Sequence, residues 1–225
     1  MNKFEEYFWN NSNKKLKVDK WHHYLKIYDK YFKKFIGKNP TILEIGVQRG
    51  GSLEMWNHYF DNNCSVYGID IDPDCLKVPE RLQSANIHVA IGDQENRDFW
   101  KDYLKDKPKF DIVIEDGGHT MNQQIVTYEE LYDHVSDNGV YLCEDLHTSY
   151  WHEYGGGLNE KQTFIEYSKN FIDMINFYHI KSHSSNDAAE KSKKFRQITN
   201  SIHYYDSIIV LEKEIDLETP IHTIR

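Results

Sequence analysis

The chain has three cysteines in 225 residues, Cys64, Cys75 and Cys143. An odd, widely spaced set without a CxxC pair excludes a disulfide framework or a thiolate zinc centre as the organising device. Long apolar runs are absent. No stretch approaches the length of a membrane span, and the N-terminal MNKFEEYFWNNSNKK contains no continuous apolar segment. A soluble protein of the reducing cytoplasm is therefore expected, without a membrane partner. Positive charge is in deficit, with 27 basic against 36 acidic residues and a net charge of −9. That balance argues against a nucleic-acid partner, which needs a basic face, and against a polybasic membrane anchor.

What is present is enough to build a core. Hydrophobic residues make up 39% of the chain, and the length suits one compact α/β domain with additions. Aromatics reach 14%, with 16 tyrosines, so many rings must sit half-exposed. That surplus leads us to expect a homo-oligomer, a dimer or larger.

Apolar residues recur every three to four positions from Trp21 to Phe35, a helical period closed by Gly37 and Pro40. Strands are expected at 41–47, 64–71, 86–93, 110–116 and 139–146, with a late strand at 202–214. Helices are expected near 53–60, 74–84, 96–106, 121–135 and 160–178. The polar segment 183–194 reads as a surface loop. Strands alternating with helices imply a doubly wound parallel sheet, in which ligands bind beyond the carboxyl ends of the strands.

Those ends are acidic every time: Glu44, Asp70, Asp93, Glu115/Asp116 and Glu144/Asp145. After the first strand, EIGVQRGGS places Gly46 and Gly50/Gly51 in a turn that lets the backbone approach a ligand, and Ser52 opens the next helix. The GxxxGG spacing departs from the GxGxxG of dinucleotide binders and favours a small ligand bearing an amino acid. Asp70 is placed to accept from ribose hydroxyls, and Asp93 from an exocyclic adenine amine.

Strands four and five are expected side by side, so Asp116, Glu144 and Asp145 should converge. Three carboxylates repel unless a cation sits among them, and an all-oxygen donor set selects a hard ion, magnesium before manganese or calcium. His119 follows Asp116 across two glycines, and an imidazole suits a general base at neutral pH. His147, directly after the second acidic pair, is the rival base. Tyr150, Trp151 and Tyr154 would make an aromatic wall for the C–H faces of a sugar, with His147 beside them.

The ordered set of E-x-G turn, acid after strand two and GD after strand three resembles class I S-adenosylmethionine (SAM) dependent methyltransferases. EIGVQRGGSLEMW, GIDIDP, GDQ, EDGGH and EDLHTSYW…YGG together look like the macrolide-sugar O-methyltransferase family of the mycinamicin type, over roughly residues 18–157. The resemblance implies a Rossmann-like seven-stranded sheet with an N-terminal helical lid over 1–38 and the transferase domain over 39–225. It implies Glu44 and Gly46 against the methionine part of SAM, Ser52 near its carboxylate, Asp70 on the ribose and Asp93 on the adenine. It further implies magnesium, or manganese, on Asp116, Glu144 and Asp145, with His119 as base. The stretch DKWHHY, residues 19–24, resembles the family's entrance segment. The family's usual DDGSH is EDGGH here. The longer Glu115 changes a cofactor contact, whereas the matched ligand and base are intact.

The expected reaction is methyl transfer to a sugar hydroxyl, the sugar being nucleotide-linked or part of a glycoside or polysaccharide. The bias toward Asn, Lys and Ile favours a surface-polysaccharide sugar, such as a capsular heptose or deoxyhexose. A catechol or other small diol as acceptor, or a non-catalytic SAM-binding subunit, are the competing readings.

Overall fold

A computed structural model describes residues 1–10, 14–181, 187–215 and 217–222. Seven strands form one sheet in the order β3-β2-β1-β4-β5-β7-β6. They are β1 (Thr41–Ile45), β2 (Ser65–Asp70), β3 (Ile87–Ile91), β4 (Phe110–Glu115), β5 (Val135–Cys143), β6 (Thr199–Tyr205) and β7 (Ile208–Lys213). The first five run parallel, whereas β7 is antiparallel to β5 and β6 to β7. This is the class I methyltransferase sheet, with an antiparallel pair at one edge.

Strand side chains alternate between two cores. Ile42, Ile112, Ile114, Val140, Leu142 and Val210 face one layer of helices. Leu43, Val113, Tyr141, Cys143, Ile209 and Leu211 face the other. The first layer holds α1 (Lys3–Asn10), α2 (Tyr24–Phe32) and α3 (Gly51–Tyr59), with the short α4 (Val78–Leu82) beside them. The second holds α5 (Arg97–Tyr103), α6 (Met121–Leu131), α7 (Phe164–Ile175) and α8 (Asp187–Ile198). Side-chain caps start several helices: Asn96 accepts from two amides of α5, and Thr120 with Gln123 forms a capping box on α6.

Two local expectations change. Residues 187–194 of the expected loop belong to helix α8, while 183–186 lie outside the described residues. Its polar face hid the period, because Phe195 is its one fully buried side chain among the described residues. The late strand over 202–214 is a hairpin, broken at Asp206-Ser207 where Ser207 takes φ +63°.

Residues 1–10 and 14–38 share the core of the sheet. Phe4 stacks on Tyr59 with centroids 3.7 Å apart, and Tyr28 meets Trp56 edge-on at 4.9 Å. Between α1 and α2 the chain crosses the carboxyl edge of the sheet, where the Glu54 carboxylate accepts from the amides of Lys15 and Leu16. The Lys17 carbonyl packs so closely on Gly51 that a Cβ there would lie 2.1 Å from it.

Candidate functional site

A cavity of about 610 Å³ opens over the carboxyl ends of β1 to β5, within the range of small-molecule sites. Gly46, Val47, Gln48, Arg49, Ser52, Asp70, Asp93, Asp116, His119, Glu144 and Asp145 all reach it. Gly46 takes φ +92°, and a Cβ there would lie 1.9 Å from the Asp116 carbonyl oxygen, so only glycine lets β1 pass beneath the β4 loop. Asp70 shapes the same turn: its Oδ2 accepts from the amides of Val47 and Gln48, each at 2.8 Å, and its Oδ1 from Asp72 at 2.9 Å. Asp93 stands exposed at the cavity edge, with Oδ1 accepting from the Glu95 amide at 2.9 Å. Ile71, 70% exposed, offers an apolar face next to Asp70.

Two of the acids assigned to the cofactor lie below the cavity. Glu44 is fully buried, with Oε2 accepting from Ser52 at 2.7 Å and Trp56 at 2.9 Å, and Oε1 from Lys20 at 3.2 Å. Glu115 is equally buried. Its Oε1 accepts from Gln94 and the Gly117 amide, and its Oε2 from the Cys143 thiol. Gln94 also accepts from the Gly118 amide at 2.9 Å, which fixes the EDGGH loop. Neither glutamate lines the cavity; Glu44 is linked to it through Ser52 and Lys20.

The β4 and β5 ends do converge. Asp116, His119 and Asp145 each offer one donor atom, all within 4.8 Å of one another. His119 Nε2 stands 3.8 Å from Asp116 and 3.4 Å from Asp145. Its Nδ1 is buried without a hydrogen-bond partner among the described residues. His119 and Asp145 both adopt left-handed backbone, φ +60° and +54°, which side-chain-bearing residues hold only when the surroundings require it. Tyr24 donates to Asp145 Oδ1 at 2.8 Å, and the Thr148 hydroxyl donates to the His119 carbonyl at 3.1 Å. The carboxylate oxygens of Asp116 and Asp145 are hard donors of the kind a divalent cation such as magnesium takes, with His119 Nε2 standing beside them.

Glu144 is turned the other way. Its Oε1 accepts from Tyr28 at 2.7 Å and its Oε2 from Lys20 at 3.0 Å, so it stands outside that three-residue cluster. Lys20 was not expected at the site; its only signal in the sequence was its place in DKWHHY. Its side chain is 2% exposed and its ammonium touches Glu44, Asp116 and Glu144. Burial opposes charge on Lys20, but the three carboxylates outweigh it and hold the ammonium protonated. Burial raises both Asp116 and Glu144 above the ordinary carboxylate range, against the pull of Lys20. One ammonium among Glu44, Asp116, Glu144 and Asp145 leaves an acidic excess that a divalent cation would offset.

His147, Tyr150, Trp151 and Tyr154, expected as the acceptor wall, do not line the cavity; ring contacts with Trp21 and His119, which do, tie His147 and Tyr154 to its edge. His147 sits between Trp21 and Trp151, with ring centroids at 5.5 and 4.5 Å, and its Nδ1 pairs with the Ser207 hydroxyl. Tyr154 lies 6.4 Å from the His119 ring and 6.0 Å from Trp151. Tyr150 is half-exposed beside them. Trp21, 55% exposed and part of the cavity lining, belongs to the DKWHHY stretch but was not among the residues expected to contact the acceptor.

The sheet and the turn beneath this cavity define a class I methyltransferase fold, and residues 43–146 match a family described as a methyltransferase domain. More particularly, curated proteins similar to this chain include O-methyltransferases of rhamnosyl tetracenomycin-C, demethylmacrocin and mycinamicin VI. The 8-demethyl-8-alpha-L-rhamnosyl tetracenomycin-C 2'-O-methyltransferase of Streptomyces olivaceus is 28% identical over 87% of this chain and 52% of its own. The demethylmacrocin O-methyltransferase of Streptomyces fradiae is 26% identical over 88% and 51%. Among solved structures, the MycE methyltransferase of the mycinamycin pathway, in complex with magnesium and SAH, superposes with a TM-score of 0.79 at 27% identity. That match covers 92% of this chain and 53% of MycE. The chain thus spans about half the length of the curated relatives it matches.

Proposed function

We propose that this protein is an O-methyltransferase, dependent on SAM and a divalent cation, that methylates a sugar hydroxyl. The observation that carries the reading is the convergence of Asp116, His119 and Asp145 at the floor of a cavity walled by the Gly46 turn. The sugar O-methyltransferases among its relatives support the same reading.

In this reading Gly46 and Ser52 flank the amino-acid end of the methyl donor, Asp70 holds its ribose, and Asp93 with Ile71 its adenine. Glu44 and Glu115 act from beneath, by fixing Ser52, Gln94 and the Gly117 amide. Asp116 and Asp145 would hold the cation. Glu144, the third carboxylate that the family resemblance assigns to the metal, supports them through Lys20 in the arrangement described here. When bound, the donor supplies an electrophilic methyl and the cation lowers the pKa of a neighbouring hydroxyl. His119 accepts the hydroxyl proton at Nε2, the nitrogen that faces the two carboxylates. Asp145, itself held by Tyr24, keeps that ring in place. His147 is engaged by Ser207 and set among indoles, which favours an acceptor-wall role over that of base. Trp21, Tyr150, Trp151 and Tyr154 would complete the wall against the apolar faces of the sugar ring.

Residues 1–38 act as the entrance segment and 39–225 as the transferase domain. For the acceptor we favour a nucleotide-linked or polysaccharide sugar, such as a capsular heptose or deoxyhexose, on the residue bias of the sequence. The exposed Lys17 and Arg49 at the cavity edge would suit an anionic group on donor or acceptor.

Calorimetric titration of SAM and then magnesium into wild type and Asp116→Ala tests the core of the proposal. We expect SAM binding in both and a magnesium signal in wild type alone. Absence of SAM binding would overturn it. A turnover screen of glycosides, nucleotide sugars and catechols then separates the acceptors, and catechol turnover without sugar turnover would replace the sugar reading.

A further inference from the structure

A second hollow, of about 580 Å³, adjoins the cavity over the strand ends and shares none of its lining residues. One wall is the start of α6, with Met121, Asn122 and Ile125; the other is the loop toward α7, with Glu153, Tyr154 and Gln162. His119 and Gln123 line the first cavity, whereas their chain neighbours Thr120 and Asn122 line the second. The first turn of α6 is therefore the ridge between the two. Tyr154 stands at that ridge as well, since it lines the second hollow with its ring 6.4 Å from that of His119.

Both walls are held by the fold itself. The Gly156 amide donates to the Trp151 carbonyl and the Gly157 amide to that of Ser149, each at 2.9 Å. A Cβ on Gly156 would lie 2.5 Å from the Thr148 carbonyl oxygen, so the loop is packed down on the segment after β5. On the α6 side Met121 is buried, and its sulfur accepts from the Phe164 amide at 3.3 Å. The hollow is thus formed in advance, as ligand sites usually are.

Its chemistry differs from that of the first cavity. Met121, Ile125 and Tyr154 make an apolar strip, and the carboxamides of Asn122 and Gln162 offer donors and acceptors beside it. Among the described residues none of its lining groups is basic, and the one charged side chain, Glu153, is negative. Lys17 and Arg49 line the other cavity, where the methyl donor is placed. An apolar strip edged by amides suits the C–H faces and hydroxyls of sugar rings. A diphosphate would meet Glu153 with no cation to pair.

We propose that this second hollow holds the adjoining neutral sugar residues of the acceptor, so that the methylated sugar belongs to an uncharged glycan chain and is not carried on a nucleoside diphosphate. The inference rests on the sugar O-methyltransferase reading above and narrows its acceptor. The reacting hydroxyl must lie at His119, and the donor takes the side of Gly46, Asp70 and Asp93. The remainder of the acceptor then leaves past Tyr154, into the second hollow.

The test is calorimetric titration of the full chain, with magnesium and SAH present, against an L-rhamnose series chosen to represent the deoxyhexoses favoured above. The series comprises methyl rhamnoside, the α-linked di- and trisaccharides, and a nucleoside-diphosphate rhamnose. The trisaccharide is expected to bind at least about tenfold more tightly than the monosaccharide, and the nucleotide sugar no more tightly than the monosaccharide. Asn122→Trp fills the hollow from an exposed position and should bring the trisaccharide within about twofold of the monosaccharide, as should Tyr154→Ala. Both variants should keep the wild-type SAH titration and melting profile. Affinity that does not change with chain length, length dependence that survives in both variants, or a preference for the nucleotide sugar would each overturn the inference. SAH binding with no binding of any sugar in the series would overturn it too, while leaving the methyl-donor site in place. A wild type that binds no SAH would overturn the transferase reading and this inference with it.

Discussion

The acids at the strand ends fall into two groups that differ by one methylene and by where they point. Glu44, Glu115 and Glu144 are buried almost completely, each with both oxygens engaged by protein donors. Asp70, Asp93, Asp116 and Asp145 all line the cavity. In Glu115-Asp116 and Glu144-Asp145 the two kinds are neighbours in the chain at or just past the strand ends, where the backbone leaves the strand and, at Asp145, turns left-handed. Glu44 and Glu115 lie beneath the cavity and Glu144 reaches it with both oxygens already engaged, whereas the aspartates face whatever enters. Substitutions in the first group should therefore read out as stability, and in the second as binding and rate.

The largest expected effect breaks the aspartate side. Asp116→Ala should lower kcat/KM by about 10³-fold or more while the melting temperature stays within a few degrees, since a cation-orienting group is lost from a half-open position. Steady-state assays and calorimetric melting on the same preparation check this; a melting loss equal to that of a buried glutamate would erase the distinction. Glu115→Ala tests the other side. It strands Gln94, the Gly117 amide and the Cys143 thiol, and should cost about 3 kcal/mol of folding stability by denaturant titration. Gly46→Ala comes next, at about 2 kcal/mol, because its Cβ would collide with the Asp116 carbonyl and disturb both groups at once.

The smallest effect lies away from the site and calibrates the others. Burial would raise Glu129, but Arg97, Lys191 and Tyr167 outweigh it and draw its carboxyl down to about 2 from an ordinary 4.5. A depressed folded-state pKa contributes stability that is complete above about 4.5 and lost as pH falls toward 2. After allowance for solvent screening, Glu129→Gln should cost about 1 kcal/mol at neutral pH and little at pH 2, measured by denaturant midpoints at both values.

Much of this frame was legible in the residues. Alternating apolar segments and their turn residues located β1 to β5 and implied a doubly wound sheet, and acids at each strand end pointed to the cavity edge. Less legible were elements whose burial is slight or whose partners are remote. Helix α8 anchors through Phe195, too little for a visible apolar stripe. The break between β6 and β7 uses Asp206-Ser207 rather than a glycine turn, so two strands read as one. Lys20 lies just before the helical period of Trp21 to Phe35, in a segment without regular structure, where no pattern links it to the strand ends it meets.

By itself, the sequence determined the doubly wound sheet, the glycine turn after β1 and the set of acids from which the site is drawn, because these follow from local periodicity and backbone conformation. Only the tertiary structure decided which of those acids face a ligand. Asp116 and Asp145 are turned to His119, while Lys20, some twenty residues before β1 in the chain, engages Glu44 and Glu144. That division depends on contacts between residues up to 124 positions apart, and no local pattern records which carboxylate a distant ammonium will choose.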